Sequence, residues 1–218
     1  MTRSERVGLI VHPAAGRGEE AIREILPVLL ATIKAETIFI VTGTLEAEIA
    51  EEMGIRFTPV ELPFSCDFSG ITSASDVMIS RGVDTIVGVG GDGTLCAIAN
   101  SIIAHGGKAR LIGIGAGSSN VGPLVTIRGE DLKKLDLEHL SEQAIHGVVV
   151  TVNKAFKGIA FNDVTFSNIF FGTKDGKRVD LDAYAIFDGV RREVEPHSVC
   201  GETTKVYKNG RLMIDASV

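Results

Sequence analysis

Short apolar runs alternate with longer amphipathic segments from residue 6 to about residue 125. The runs are rich in β-branched residues and have strand length. In one longer segment Leu45, Ile49 and Met53 form a single apolar stripe, and Gly54 ends the helix. The pattern predicts parallel strands connected by crossover helices, with a loop or an excursion at the strand edge over Pro63–Gly70. The predicted strands are Val7–Val11, Thr37–Val41, Thr85–Val89 and Leu111–Ile114, and the predicted helices lie near Glu19–Ala31, Thr44–Met53, Ser75–Arg81 and Leu95–Ala104.

The pattern changes after residue 128. A polar, helical linker over residues 129–146 is followed by strand-like runs separated by Asp-Gly and Asn-Gly pairs, which supply the positive φ angles of two-residue hairpins. The fold predicted is an α/β domain with a parallel sheet over residues 1–128, followed by an all-β domain over residues 147–218. The strand-like runs are Gly147–Asn153, Ile159–Phe166, Leu181–Phe187, Lys205–Tyr207 and Leu212–Ile214.

The composition of the 218-residue chain is that of a globular protein, with 44% hydrophobic and 23% charged residues. No apolar run approaches the ~18 residues of a membrane span, and the polar N-terminus does not resemble a signal peptide. We therefore expect a cytoplasmic protein that does not bind membranes. The net charge of −6 argues against a nucleic-acid partner, because phosphate contacts need clustered Lys and Arg. The cysteines and histidines show no metal-ligand spacing, so no metal site is predicted from them.

The strongest local feature is the glycine-rich sequence Gly88–Thr94, which follows a predicted strand and precedes a predicted helix. It lies at the carboxyl end of a parallel strand, the edge where open α/β sheets bind ligands. Gly90, Gly91 and Gly93 let the backbone approach phosphate oxygens, and the helix N-terminus offers unpaired N–H groups. Thr94 is expected to cap that helix. The sequence predicts a phosphate-binding loop here.

Asp92 lies inside this loop, where its carboxylate would repel a phosphate unless it meets either a metal ion or a hydroxyl whose proton it accepts. In phosphoryl transfer to an alcohol, a positioned Asp orients and deprotonates the attacking hydroxyl. The alternative is a Gly-Asp-Gly turn in which Asp92 bonds only to local backbone. The loop also matches GxGxxG, but no acidic residue between Asp92 and Glu130 is available to hold a ribose, as a dinucleotide fold requires.

Two more glycine-rich loops follow predicted strands, at His12–Gly18 and Gly113–Gly122. Three such loops at strand ends point to one ligand cleft, although each alone is compatible with a tight turn. A polar pair, Asn162 and Asp163, interrupts an apolar run and indicates either an edge strand or a ligand contact. Among the histidines, His12 lies near the predicted cleft. The candidate ligand-binding residues outside the first loop are Arg17, Gly115, Ser118, Ser119, Asn120, Asn162 and Asp163.

These motifs resemble those of the NAD kinase family and its relatives in the diacylglycerol-kinase-like superfamily. Gly90–Thr94 reads GGDGT, the superfamily motif, and Asn162-Asp163 is similar to the family's Asn-Glu/Asp motif. The segment from Leu111 to Leu124 resembles the glycine-bearing strand and loop between the two motifs. His12–Gly18 is closer to the openings of the lipid-kinase and archaeal or AcoX-like branches.

The resemblance implies transfer of a phosphoryl group from ATP or polyphosphate to the 2′-hydroxyl of NAD, with Mg²⁺, by a homo-oligomer. Asp92 would contact the ribose and act as the base, and Gly90, Gly91, Gly93 and Thr94 would shape the phosphate site. Asn162 and Asp163 would hold the dinucleotide. Two alternatives stay open: a kinase of lipids or other small alcohols from the same superfamily, and a noncatalytic sensor that binds NAD or ATP.

Overall fold

The structure, a computed structural model, describes residues 6–16, 18–63, 68–117, 120–134, 141–164, 169–174, 177–187, 190, 192–195, 203–208 and 211–217. Strands and helices alternate through the first 128 residues. These elements are β1 (Arg6–Val11), α1 (Gly18–Thr32), β2 (Thr37–Val41), α2 (Leu45–Glu52), β3 (Thr58–Val60), α3 (Phe68–Ser80), β4 (Thr85–Gly90), α4 (Asp92–Ala104), β5 (Arg110–Gly115) and β6 (Ile127–Arg128).

Strands β1 to β6 form one parallel sheet in the order β3-β2-β1-β4-β5-β6. Val7 of β1 lies between Ile38 of β2 and Thr85 of β4. The chain winds outward from β1 in one direction and from β4 in the other, so the winding reverses between these two strands. Such a reversal leaves a crevice at the carboxyl ends of the strands. The loops that begin at His12 and Gly91 lie at this crevice.

The sheet is buried on both faces. Leu9, on one face, belongs to a core with residues of α1 and α2, and Ile10, on the other face, belongs to a core with residues of α3 and α4. Each fully buried side chain of this size contributes about 1.5–3 kcal/mol relative to exposure. This three-layer arrangement confirms the predicted N-terminal α/β domain with a parallel sheet. None of the helices among the described residues has the length and apolar character that crossing a membrane requires.

The remaining elements are mostly antiparallel hairpins. A 3₁₀ helix (Gly129–Lys134) precedes β7 (Val148–Val152), β8 (Ala155–Ala160), β9 (Ile169–Lys174), β10 (Lys177–Asp182), α5 (Ala183–Phe187), β11 (Thr203–Lys208) and β12 (Arg211–Ser217). The antiparallel pairs are β7 with β8, β9 with β10, and β11 with β12. The chain forms two compact units, Met1–Thr165 and Phe166–Val218. The β7–β8 hairpin therefore lies in the same unit as the parallel sheet, whereas the sequence-based division begins a β domain at residue 147.

Several predicted elements are corrected. Among the described residues of the linker, Gly129–Lys134 form a 3₁₀ helix and residues 141–146 are not helical; residues 135–140 lie outside the described part. The strand predicted over residues 181–187 ends at Asp182, because the Asp182 carboxylate accepts the N–H groups of Tyr184 and Ala185 and starts helix α5. The predicted loop over residues 63–70 is wrong at its end, where α3 begins at Phe68. The short strands β3 and β6 had not been predicted.

Candidate active site

Asp92 is the first residue of helix α4, directly after the last residue of β4 and the N-cap Gly91. Its carboxylate is half-buried and accepts the backbone N–H of Gly122 at 2.9 Å and that of Val121 at 3.3 Å. Asp92 therefore bonds to the loop that follows β5, about thirty residues away in sequence, rather than only to its own turn. This contact fixes the carboxylate at the crevice between the central strands.

The loops after β4 and β5 touch through their backbones. A Cβ atom at Gly117 would lie 2.7 Å from the Cα atom of Gly91, too close for any other residue without a shift of the main chain. The N–H of Ala116 donates to the carbonyl of Gly90 at 2.8 Å. Two of the predicted glycine-rich loops therefore come together as expected, and glycine is required where they meet.

Asn120 braces the loop after β5. Its backbone φ is +51°, its Oδ1 accepts the N–H of Gly117 at 2.7 Å, and its Nδ2 donates to the Gly117 carbonyl at 2.8 Å. The side chain is buried, and Gly115 packs so closely that a Cβ atom there would lie 3.0 Å from Asn120 Cγ. Asn120 thus shapes the loop with both ends of its amide. Ser118 and Ser119 lie outside the described residues.

Thr94 contacts the loop after β1. Helix α4 begins at Asp92, so the expectation that Thr94 caps it is wrong; the N-cap is Gly91. Thr94 is buried in the first helical turn, and its hydroxyl lies 3.0 Å from Nδ1 of His12. The N–H of His12 donates to the carbonyl of Val89 at 2.9 Å. The loop after β1 therefore joins the other two, as predicted; Arg17 lies outside the described residues.

Two exposed apolar side chains flank the Asp92 turn. Phe68, at the start of α3, is 52% exposed, and a Cβ atom at Gly93 would lie 3.1 Å from its Cζ. Val121, whose N–H bonds to Asp92, is 68% exposed. Because exposed aromatic and aliphatic surface is unfavourable in water, these side chains give the rim of the site an apolar character.

Asn162 and Asp163 follow β8 rather than lying inside a strand, because β8 ends at Ala160; both are exposed. Helix α4 holds this end of β8 through Asn100, whose side chain bonds to the backbone of Ile159. Asn100 was not identified from the sequence. The available signal was a polar residue eight positions after Asp92, on the same face of a helix that is otherwise mostly apolar.

Comparison with known proteins identifies the family of this chain. The family described as the diacylglycerol kinase catalytic domain matches residues 6–155. The chain therefore belongs to this family, which places it in the diacylglycerol-kinase-like superfamily that the GGDGT motif indicates.

An uncharacterized protein of Archaeoglobus fulgidus is 31% identical over 183 residues, which cover 82% of this chain and 54% of the relative. The chain thus spans about half the length of the curated relative it matches. Among solved structures, a diacylglycerol kinase from Bacillus anthracis has 21% identity, a TM-score of 0.41, and coverage of 64% of this chain and 44% of that one. A yeast NADH kinase complexed with NADH has 16% identity, a TM-score of 0.36, and coverage of 62% and 37%.

Proposed function

We propose that this protein transfers the terminal phosphoryl group of an ATP-type nucleoside triphosphate to an alcohol hydroxyl, with Asp92 as the base. The observation that carries the proposal is the Asp92 carboxylate, which the Gly122 N–H fixes between glycine-rich loops at the carboxyl edge of the sheet. The membership in the diacylglycerol kinase catalytic domain family supports it.

The first turn of α4 supplies the phosphate-binding part of this proposal. The leading N–H groups of a helix have no acceptor inside the helix, and the helix dipole favours an anion there. The glycines at positions 90, 91 and 93 keep side chains away from the approaching phosphates. A Mg²⁺ ion bound to the phosphate oxygens of the nucleotide would neutralise charge on the transferred group.

Proton transfer to Asp92 completes the step. The acceptor oxygen forms a bond to the γ-phosphorus, the bond from that phosphorus to the bridging oxygen breaks, and the nucleoside diphosphate leaves. The hydroxyl proton passes to the Asp92 carboxylate and from there to solvent. The hydrogen bonds from Gly122 and Val121 orient the carboxylate, while its other lone pairs remain for the hydroxyl.

The first candidate acceptor is the 2′-hydroxyl of NAD. It is supported by the resemblance of GGDGT and of Asn162-Asp163 to the NAD kinase motifs, and by the exposure of that polar pair at the end of β8. In this proposal Asn162 and Asp163 bind the dinucleotide while Asp92 meets its ribose.

The second candidate acceptor is an apolar alcohol such as diacylglycerol. The specific observation in its favour is that two exposed apolar residues, Phe68 and Val121, lie next to the Asp92 turn. Burial of an apolar chain against them would contribute binding free energy of about 25 cal/mol for each Å² of apolar surface removed from water.

The experiment supplies ATP labelled at the γ-phosphate, Mg²⁺ and either NAD or diacylglycerol in detergent micelles to the purified chain. Labelled NADP supports the first acceptor, and labelled phosphatidate supports the second. For a lipid acceptor, Phe68→Ser raises the KM for lipid, whereas Ile103→Ser, which changes an exposed apolar residue at the far end of α4, does not. Saturable ATP binding without transfer to any alcohol tested would overturn the proposal in favour of the sensor.

A further inference from the structure

Asn100 joins helix α4 to the backbone of strand β8. Its Oδ1 accepts the N–H of Ile159 at 2.8 Å, and its Nδ2 donates to the carbonyl of the same residue at 2.8 Å. One amide side chain thus satisfies both polar groups of one backbone residue, fifty-nine positions away. Because the two bonds form as a pair, they fix the direction of the strand as well as its distance from the helix.

The strand is bent at this contact. Val150 pairs with Gly158 but Thr151 pairs with Phe156, so Lys157 is an extra residue and forms a β-bulge. Gly158 has a φ of +153°, a conformation that residues with a side chain rarely adopt, and a Cβ atom there would lie 3.2 Å from Asn100 Oδ1. The bulge and the glycine together turn β8 so that Ile159 meets the helix.

Cys96 extends the contact by one helical turn towards Asp92. Its thiol donates to the carbonyl of Ile159 at 3.4 Å, and the backbone N–H of Phe161 lies close to its sulfur. Burial under this part of the chain raises the pKa of the Cys96 thiol. Ile159 therefore contacts Asn100, and Phe161, two residues later, contacts Cys96, one helical turn closer to Asp92.

The spacing along α4 relates this contact to Asp92. Asp92, Cys96 and Asn100 are spaced by four residues and share one face of α4. β8 ends at Ala160, and the chain bends at Phe161 and Asn162, directly after this contact. The contact at Cys96 is one helical turn, a rise of about 5.4 Å, from Asp92, and Asn162 and Asp163 directly follow Phe161 in the chain.

We propose that Asn100 is a positioning residue that, by holding the backbone of Ile159 against α4, places Asn162 and Asp163 beside the Asp92 turn. The contact between Asn100 and Ile159 then sets the distance from Asp92, which takes the proton, to the polar pair after β8 that binds the acceptor. This inference rests on the proposed function, because the spacing matters only where these residues face one substrate.

The test is a double-mutant cycle in phosphoryl transfer. A displacement of about 1 Å in a catalytic site costs about 10²-fold in rate, so Asn100→Ala is expected to lower kcat/KM by about that factor. In an Asp163→Asn background the same substitution should lower kcat/KM by less than about threefold, because the effects of residues that act together are not additive. Gly158→Ala should reproduce the effect from the strand side.

A control variant at Gly106 separates the effect of displacing β8 from the effect of backbone strain at a glycine. Gly106, just beyond the C-terminal end of α4, also has a positive φ, of +88°, but open space around its Cβ position. Gly106→Ala therefore introduces backbone strain next to the end of α4 without touching β8. We expect it to keep the kcat/KM of the wild type, whereas equal losses in Gly106→Ala and Gly158→Ala would overturn the proposal.

A second readout needs no activity. Because β8 covers the Cys96 thiol, the rate of alkylation of Cys96 by iodoacetamide, read by peptide mass spectrometry, should rise several-fold in Asn100→Ala and Gly158→Ala but not in Gly106→Ala. An unchanged rate in the first two variants, or fully additive effects in the cycle, would overturn the positioning role. Absence of transfer by the wild type would instead reject the proposed function, and the alkylation rates would still report whether Asn100 holds the strand.

Discussion

Gly122 limits the space around Asp92. A Cβ atom at Gly122 would lie 2.6 Å from Asp92 Oδ1 and 3.1 Å from its Cγ, and the Gly122 N–H is the shorter of the two hydrogen bonds to that carboxylate. Gly122→Ala should therefore push the carboxylate away while leaving its chemistry intact. The expected result is a loss of about 10²-fold in kcat, since a shift of about 1 Å suffices, measured by steady-state phosphoryl transfer.

Gly8 offers the matched control for this substitution. A Cβ atom there would lie 2.7 Å from the Sδ atom of Met78, in the core formed with α3. Gly8→Ala creates an overlap of similar size away from Asp92 and should lower the melting temperature with little change in kcat below the transition. If Gly122→Ala had the same kcat as Gly8→Ala, catalysis would not depend on the packing of the Asp92 carboxylate against Gly122.

Helix α2 carries a buried acid. Glu46, in its first turn, is only 1% exposed, and neither of its carboxylate oxygens makes a hydrogen bond of normal geometry. The nearby Thr44 hydroxyl donates its proton to the carbonyl of Val41 instead. Burial therefore dominates and raises the pKa of Glu46 to about 7, although the polar groups of Thr44 and Val11 offset part of the effect.

This pKa predicts how stability changes with pH. Between about pH 4.5 and 7 the folded state keeps a proton on Glu46 that the unfolded chain has lost, so the free energy of unfolding falls as the pH rises through this window. Glu46→Gln removes the titration. The variant should match the wild type near pH 4.5 and exceed it by up to about 3 kcal/mol at pH 8, as measured by urea unfolding.

Glu51 provides the comparison on the same helix, because it is exposed. The difference in unfolding free energy between Glu51→Gln and the wild type should stay nearly constant over the same pH range. If the difference in unfolding free energy between Glu46→Gln and the wild type were also constant with pH, burial would not raise the pKa of Glu46.

The elements that the sequence pattern predicted well are those with local causes. Strands β1, β2, β4 and β5 are buried on both faces, so their apolar runs identify them directly. Strand β3 was missed because it has three residues, including Pro59, and pairs along one side only. Helix α4 begins earlier than predicted because packing against the β5 loop stabilises a helical start in a Gly-Asp-Gly sequence that, by itself, favours a turn.

The candidate site, like the fold, could be predicted from the sequence only in part. The strand ends place the loops of His12, Asp92 and Gly117 together, and the alternation of elements was enough to predict this. The partners within the site were not predictable, because they depend on contacts between distant parts of the chain: Asp92 with Gly122, and Asn100 with Ile159. A sequence pattern reports which residues are polar, whereas the pairing of their side chains is decided by tertiary packing.

At the scale of the whole molecule, the described site residues come from one compact unit. The loops after β1, β4 and β5 and the end of β8 all lie within Met1–Thr165. The strand order brings the first two loops to the reversal between β1 and β4, and hydrogen bonds from Val121 and Gly122 add the third. The parallel sheet thus brings together an acid, a helix N-terminus and three glycine-rich loops.

The most direct measurement compares phosphoryl transfer by the wild type and by Asp92→Asn, with Mg²⁺, ATP and the acceptor that the wild type uses. Asparagine keeps the size of the side chain and can still accept the N–H of Gly122, but it cannot take the hydroxyl proton. Loss of a general base predicts a fall in kcat of at least about 100-fold, with the melting temperature and ATP binding retained. Turnover within a few-fold of the wild type in a folded Asp92→Asn protein would contradict the role of Asp92 as the base.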